Sequence, residues 1–513
     1  MNSKTLRTKY LKSALLIITV CLILGAISAC LPFNVSIPEL NNNAISDTAV
    51  TITTNTSDGL GEFNNGFSYV FTDKNKVDGY RAGTEDYDMT SHKVVKTSGN
   101  RGSEDNPYVI TNVTQWNSFA SSATSASTMG KVYVLGQDID FDGESFSAVE
   151  SFNGKFYGIG HTLRNINKNF GSSNTCGIFR EIGTESVVTD LNLDNVTLTT
   201  SGCEIGMLAG SSGGSILNCH VKGNLTGVSN IVGTGPNWTQ YSVGGLIGDA
   251  TGNNIKIYIY RCSVNVKAVV STTGGSSGGG IIGSYNSSGG LSVAIYDCVA
   301  ITDFTVSTSD GLWFGGITNY CNSLGEQAIE NCAVYTKITC GSQARVLYAA
   351  LTNGYPTALP KLTLKNIYCS ATLVYNGSTT YNIPPALFFE SWTATVASKM
   401  TLDCDNINWF ADKTVYFSSC FDFFDRRSIA NKKYTGATGL TQNDMYENLK
   451  SAMPSDIWAQ KDVIDTAYMT NTDVTSTSGY TIDNSPVRNY LMAFIDFRNL
   501  NNGGNNEEKV GLE

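Results

Sequence analysis

Charge is scarce in this chain. Asp, Glu, Lys and Arg make up 15% of its 513 residues, against about 25% in an average soluble domain. Histidine is scarcer still: His92, His161 and His220 are the only three. Thirteen cysteines are present but none are spaced Cys-x-x-Cys, so the ligand spacing of a zinc site is missing. Basic charge does not predominate. The formal net charge is −10, and removing Lys4, Arg7, Lys9 and Lys12 with the first 29 residues takes it to −14. That excludes a nucleic-acid partner and a basic membrane-surface patch. Beyond the N-terminus no apolar run reaches the ~18 residues of a membrane span. No pattern calls for a cofactor.

Gly, Ser, Thr and Asn take the place of charge. The 51 glycines point to many tight turns, and two phrases recur with them. A glycine phrase reads Cys176-Gly177-Ile178-Phe179, Ile205-Gly206-Met207-Leu208-Ala209-Gly210, Val243-Gly244-Gly245-Leu246-Ile247-Gly248, Gly279-Gly280-Ile281-Ile282-Gly283 and Phe314-Gly315-Gly316-Ile317. A cysteine phrase ends at Cys219, Cys262, Cys298, Cys332 and Cys369. Both phrases recur at about 30 to 43 residues, and a recurring supersecondary unit of this length predicts a solenoid, in which stacked coils bury an apolar face that none buries alone. Equivalent inward positions then lie one above another, so the cysteines read as a ladder of buried thiols acting as small apolar residues. Disulfides between neighbouring rungs are the alternative in an exported protein.

The first 29 residues read as an export signal: a basic start, an apolar run from Ala14 to Ile27, then Ile27-Ser28-Ala29-Cys30. The last four residues resemble a bacterial lipobox, which makes Cys30 the lipid-attachment site and the membrane a partner through its acyl chains. Ordinary signal-peptidase cleavage is the other reading. Residues 30–66 read as a disordered tether and 67–100 carry no assignment. Residues 101–435 hold the repeats, 436–500 a C-terminal capping segment and 501–513 a disordered tail. A short N-terminal helix is predicted at Thr114–Ala120, with Trp116, Phe119 and Ala120 on one face. A capping helix is predicted from Gln442 to Met453, stopped by Pro454.

An ordered series of phrases resembles proteins carrying GLUG motifs, found on bacterial surface proteins and beside IgA-specific metallopeptidases. Asn106-Pro107-Tyr108-Val109-Ile110 is similar to the family's entry strand, and Val132-Tyr133-Val134-Leu135 with Asp138-Ile139-Asp140 to its next strand. Phe152-Asn153-Gly154-Lys155-Phe156 through Gly158-Ile159-Gly160-His161-Thr162-Leu163 resembles its paired glycine turns. Val243 to Gly248 and Gly279 to Gly283 are the nearest copies of the glycine motif. The resemblance covers about 101–460 and implies an all-β fold, a right-handed parallel β-helix-like solenoid. It implies no catalytic residues, and the metallopeptidase His-Glu-x-x-His is missing.

Several residues are candidates for chemistry. Asp138-Ile139-Asp140-Phe141-Asp142-Gly143 matches the start of an EF-hand loop, but Val149 stands where the closing Glu belongs. Asp138, Asp140 and Asp142 are therefore calcium candidates set against a turn capped by Asp side chains. His161 reads as a structural hydrogen-bond partner. Cys219 and His220 are neighbours on a strand and point to opposite faces, which argues against a nucleophile pair. Asp297, Asp303, Asp310 and Glu330 are the carboxylates a polysaccharide lyase or glycosidase would recruit. Trp238, Tyr241, Tyr285 and Trp313 are candidate platforms for glycans or surface proteins, with packing between rungs as the alternative. The functional expectation is a surface-anchored, non-enzymatic β-solenoid lipoprotein for adhesion or ligand binding. A polysaccharide-degrading enzyme and a structural envelope spacer are the alternatives.

Overall fold

A computed structural model describes residues 52–53, 56–63, 73–82, 100–229, 241–272, 274–308, 311–319, 321–340, 345–352, 361–375, 386–388, 401–411 and 437–439. All belong to one compact unit. The fold is a parallel β-helix, as the repeats predict. Taking the coil at 241–272 as an example, each full coil has four strands: Tyr241–Gly244, Ile247–Thr251, Lys256–Tyr260 and Ser263–Thr272. Each strand pairs in parallel with its counterparts in the coils above and below, which builds four sheets along the axis, here sheets 1 to 4.

The two recurring phrases are two corners of the coil. The glycine phrase joins sheet 1 to sheet 2, and there the chain folds back so closely that side chains are excluded. A Cβ on Gly244 would lie 1.7 Å from the Ile247 carbonyl oxygen, and one on Gly206 would lie 2.2 Å from that of Ala209. Ordinary stacked sheets sit about 10 Å apart, and only glycine allows this closer approach. Between the glycines, Leu208, Leu246, Ile281 and Ile317 stack through backbone bonds, Leu208 N to Leu246 O at 3.0 Å and Ile281 N to Ile317 O at 2.8 Å.

The cysteine phrase joins sheet 3 to sheet 4. The residue just before the ladder position takes a left-handed conformation at Asp190, Asn218, Arg261, Asp297, Asn331 and Asn366. Asn and Asp tolerate that region because their short polar side chains bond locally. Here they bond to the next coil, Asn218 Nδ2 donating to Asp190 Oδ1 at 2.7 Å and Asn331 Nδ2 to Asp297 Oδ1 at 2.9 Å. The following residue turns into the core: Leu191, Cys219, Cys262, Cys298, Cys332 and Ile367. Cys369 does not belong to this ladder. Register places it opposite Val334, while Ile367 pairs with Cys332, because the corner residue of that coil is Asn366.

Each ladder thiol donates to carbonyls rather than to a disulfide partner. Cys298, for example, reaches Tyr296 O at 3.2 Å and Ile259 O at 3.5 Å. Burial raises Cys219, Cys262 and Cys332 far above the ordinary thiol range. The thiolate is the reactive form. Maleimide labelling of the native protein is therefore expected to leave peptides containing Cys219, Cys262, Cys298 and Cys332 unmodified, and to modify them after guanidinium unfolding. Labelling in the native state would show that the ladder opens.

The core is a column of aliphatic side chains in register, Val188, Ile216, Ile259, Ile295, Ile329 and Leu364, all fully buried. Each such side chain contributes about 1.5–3 kcal/mol by burial, and does so only when the coils stack. The N-terminal end is closed by a helix at Val113–Ser122, capped by Asn112, whose side chain accepts from Gln115 N. It extends beyond the predicted Thr114–Ala120 at both ends and sets Trp116 and Phe119 over the first rung. A short strand pair, Ile52–Thr53 with Glu62–Phe63, lies inside the stretch expected to be a tether. Leu60 is buried there, and Arg101 clasps Asp58 with Nε–Oδ2 at 2.9 Å. The predicted C-terminal helix at Gln442–Met453, the signal region with Cys30, and Trp238 lie outside the described residues. Among the described residues no helix is long and apolar enough to cross a membrane.

Candidate functional site

Strands alternate inward and outward, so the outward side of sheet 3 can be read from its register. One column runs Val187, Ser215, Tyr258, Ala294, Ala328, Thr363 and Asp403. Beside it run Thr189, Leu217, Tyr260, Tyr296, Glu330 and Lys365 on one flank, and Lys256, Ser292, Glu326 and Lys361 on the other. From the coil of Ala294 onward, small residues form a floor between longer side chains. The result is an open groove of about 250 Å³ along the solenoid axis.

The N-terminal half of this face is covered by residues 73–82, a stretch the sequence left unassigned. Asp73 caps a 3-10 turn, accepting from Asn75 N, and a helix follows at Val77–Ala82. Val77 is fully buried against Val187, Leu217, Tyr260, Ala294 and Tyr296. Asp78 accepts from the Tyr258 hydroxyl at 2.8 Å and pairs with Lys256 at 3.3 Å. The Tyr80 ring stacks on Tyr260, centroids 6.5 Å apart. The Arg81 guanidinium lies 3.6 Å from the Tyr296 ring centroid and bonds Glu330 Oε2 at 2.5 Å. Burial works against the Arg81 charge, but the Glu330 bond and charge outweigh it and hold its pKa above the usual value. Lys74 reaches Glu185 at 3.4 Å. This strap therefore crosses several coils and ends where the open groove begins. Val77, Tyr80 and Arg81 at i, i+3 and i+4 were the sequence signal for it.

Of the predicted platforms, the two whose side chains are described do not reach the surface. Tyr241 and Tyr285 are buried, 3% and 1% exposed, and Tyr285 Oη accepts from Gln327 Nε2 at 2.8 Å. Both are core residues, because their strand positions face the interior. Trp313 lies in the sheet 1 strand Gly311–Gly315, and its side chain lies outside the described residues.

Two of the three calcium candidates, Asp138 and Asp140, have their carboxylates engaged elsewhere. Asp138 Oδ1 bonds His161 Nδ1 at 3.1 Å and Thr162 N at 3.0 Å. Burial pushes the Asp138 carboxyl up, but these two bonds prevail and leave it below the usual value. Asp140 accepts from Arg164 Nε at 2.9 Å, Asn165 Nδ2 at 2.8 Å and Asp142 N at 3.0 Å. Among the described residues no three His, Cys, Asp or Glu side chains are placed to hold a metal ion. His161 is thus the structural partner expected. His220 Nδ1 bonds Ser263 Oγ at 2.7 Å, away from the inward Cys219 thiol.

Of the proposed lyase carboxylates, Asp297 and Glu330 lie on adjacent coils, Asp297 N donating to Glu330 O at 3.0 Å, with Arg81 close to both. Glu330 is held by Arg81. Asp303 sits in register between Lys267 and Lys337 on sheet 4, and Asp310 lies outside the described residues. Asp297 is pushed up to about 6 by burial, against the Asn331 bond and the Arg81 and Arg261 charges.

The sequence reading missed a second carboxyl pair. Glu204 on sheet 1 and Asp249 on sheet 2 lie near each other where the sheets fold back. Burial, then the Asp249 and Glu181 charges, push Glu204 up; burial pushes Asp249 up against a 2.6 Å bond from Ser284 Oγ. A carboxyl raised in the folded state binds more protons there than when unfolded. Its stabilising effect is complete below the ordinary carboxylate range and is lost as pH rises through the raised value. Thermal unfolding should therefore occur at progressively lower temperature as pH rises from about 5 to about 9, and Glu204→Gln should flatten that slope. An unchanged slope in the variant would show that the pair does not titrate in this way.

No family model matches the sequence. Halomucin of Haloquadratum walsbyi is 29% identical over 152 residues, which cover 26% of this chain and 2% of halomucin. The chain thus spans a small fraction of that curated relative's length. A Bacteroides ovatus structure described as a candidate immunoglobulin A1 protease is 18% identical with a TM-score of 0.42, over 70% of this chain and 91% of that one.

Proposed function

We propose that this chain is exported, lipidated at Cys30 and displayed on a bacterial cell surface, where it acts without catalysis as a ligand-binding solenoid in adhesion. The observation that carries this reading is the axial groove on sheet 3, with its floor of Ala294, Ala328 and Thr363. Such a groove offers repeated contacts to an extended ligand. The GLUG-like order of phrases supports the surface assignment, and the lipobox-like Ile27-Ser28-Ala29-Cys30 supports the anchor.

The test uses the mature chain with Cys30→Ser, screened against glycan arrays and envelope proteins and assayed for reducing-sugar or unsaturated-uronate release. Binding without release is expected. Release of either product overturns the non-enzymatic reading, and absence of any binding leaves the envelope spacer. In parallel, labelled palmitate should enter the wild-type protein in bacteria and not the Cys30→Ser variant.

An enzymatic reading is favoured by one observation, the raised carboxyls of Glu204 and Asp249. Asp249 is 2% exposed and bonded to Ser284, which keeps it from substrate. If product release were seen, its loss in Glu204→Gln would assign the chemistry to that pair.

A further inference from the structure

The outer face of the strapped half of sheet 3 is largely apolar. Beneath the strap lie Val187, Leu217, Tyr260 and Tyr296, an apolar and aromatic strip. The strap buries these side chains; uncovered, they would form a contiguous apolar patch of the kind that marks interaction sites. We propose that this strip and the groove continuing from it form a peptide-docking surface, and that residues 73–82 are its intramolecular occupant. The partner is a polypeptide segment presenting the strap's own order of groups: an apolar side chain, a carboxylate, an aromatic ring and a guanidinium. This deepens the ligand-binding reading above and rests on it.

The strap shows what each part of the surface takes. The apolar strip takes Val77, Lys256 with the Tyr258 hydroxyl takes a carboxylate, Tyr260 takes a ring, and Tyr296 with Glu330 takes an arginine. A planar guanidinium stacked on a ring and bonded to a carboxylate is a specific contact that lysine does not reproduce. The strap is also held in a way that permits exchange. Its helix has six residues, far below the ~12–15 that begin to stand alone in water. Val77 is its one fully buried side chain. The Lys256–Asp78 pair and the Glu185 side of the Lys74–Glu185 pair are substantially exposed, and such pairs are weak and screened by salt; the Arg81–Glu330 pair, 19% exposed on each side, is the firmer hold. The backbone bonds of sheet 3 run between coils and do not involve the strap, so its departure leaves the ladder intact. The groove beyond Arg81 gives an incoming peptide a place to start before the strap is displaced.

The test is fluorescence anisotropy with a labelled peptide of sequence 73–82. The full chain and a full-length variant with residues 73–82 replaced by an equally long Gly/Ser linker are compared. The linker variant is expected to bind at least tenfold more tightly than the wild type. Tyr296→Ala in the linker background should cost at least tenfold, and a scrambled peptide should not bind. Should the linker variant lack a cooperative unfolding transition, Val77→Asp in the otherwise intact chain gives the same comparison. If neither variant folds, the strap is part of the core and the proposal is overturned. It is equally overturned if a folded variant fails to bind the peptide or binds the scrambled one as well. Glycan binding on the arrays that persists while the peptide is ignored would sink the peptide assignment alone. Silence on arrays and peptide together would sink the binding reading too.

Discussion

Replacing Gly244 by valine is expected to destabilise the protein by about 3 kcal/mol or more, towards the severe end of single substitutions. A Cβ at that position meets the Ile247 carbonyl oxygen at 1.7 Å and Gly283 N at 2.7 Å. Both are backbone atoms inside parallel ladders, so neither can yield as a flexible side chain would. Relief requires sheets 1 and 2 to separate, which also uncovers the stacked Leu246 and Ile281. In a solenoid the damage concentrates at the affected coil and its neighbours. The guanidinium midpoint should fall, and limited proteolysis should open the coils around residue 244 before the N-terminal end. Gly289→Ala is the control. Nothing lies within 4 Å of its added Cβ, and a change within about 0.5 kcal/mol is expected. Similar losses at both sites would mean that general glycine replacement, rather than close sheet approach, governs the fold.

Trp116→Ala should be comparably severe, at about 3–5 kcal/mol. The indole is fully buried and ringed by Phe119, Phe141, Phe146, Phe156 and Phe179, with centroids 5.8 to 6.4 Å away. Its Nε1 donates to Ser147 O at 2.9 Å, so truncation leaves both a cavity and an unpaired carbonyl. It also loosens the helix that closes the first rung. Open rung ends present unpaired strand groups to other molecules, so size-exclusion chromatography of Trp116→Ala should show self-association that the wild type does not. Trp116→Phe keeps most of the packing and should lose far less. A monomeric Trp116→Ala protein with a wild-type midpoint would show that the helix does not cap the solenoid.

These two expectations differ in how they could be found. The glycines at 206, 210, 244, 248, 279 and 283 were visible as a period before any coordinates, and so was the turn into Cys219, Cys262, Cys298 and Cys332. Both are local: each phrase is dictated by a corner its own few residues must make. Cys369 shows the limit of that reading. It resembles the ladder cysteines in its neighbours, yet lies three residues past the corner residue Asn366 and two past the ladder position at Ile367. Tyr241 and Tyr285 show it again, since aromatics beside glycine-rich stretches face inward or outward according to a register that a single strand does not reveal.

The strap lies further from the sequence's reach. Residues 73–82 carry a short amphipathic pattern, but its partners at 187, 217, 260, 296 and 330 are scattered along the chain. They form one strip only because each coil returns sheet 3 to the same place. The Glu204–Asp249 pair has the same origin, arising where two sheets fold back on each other. By itself, then, the sequence determined the all-β class, the coil repeat and the chemistry of its corners, because backbone conformation and side-chain exclusion act over a few residues. Tertiary structure alone decided which outward side chains share a face, what covers them and where the groove opens. Those depend on inter-coil register, which is set by long-range ladder pairing and is written at no single point of the chain.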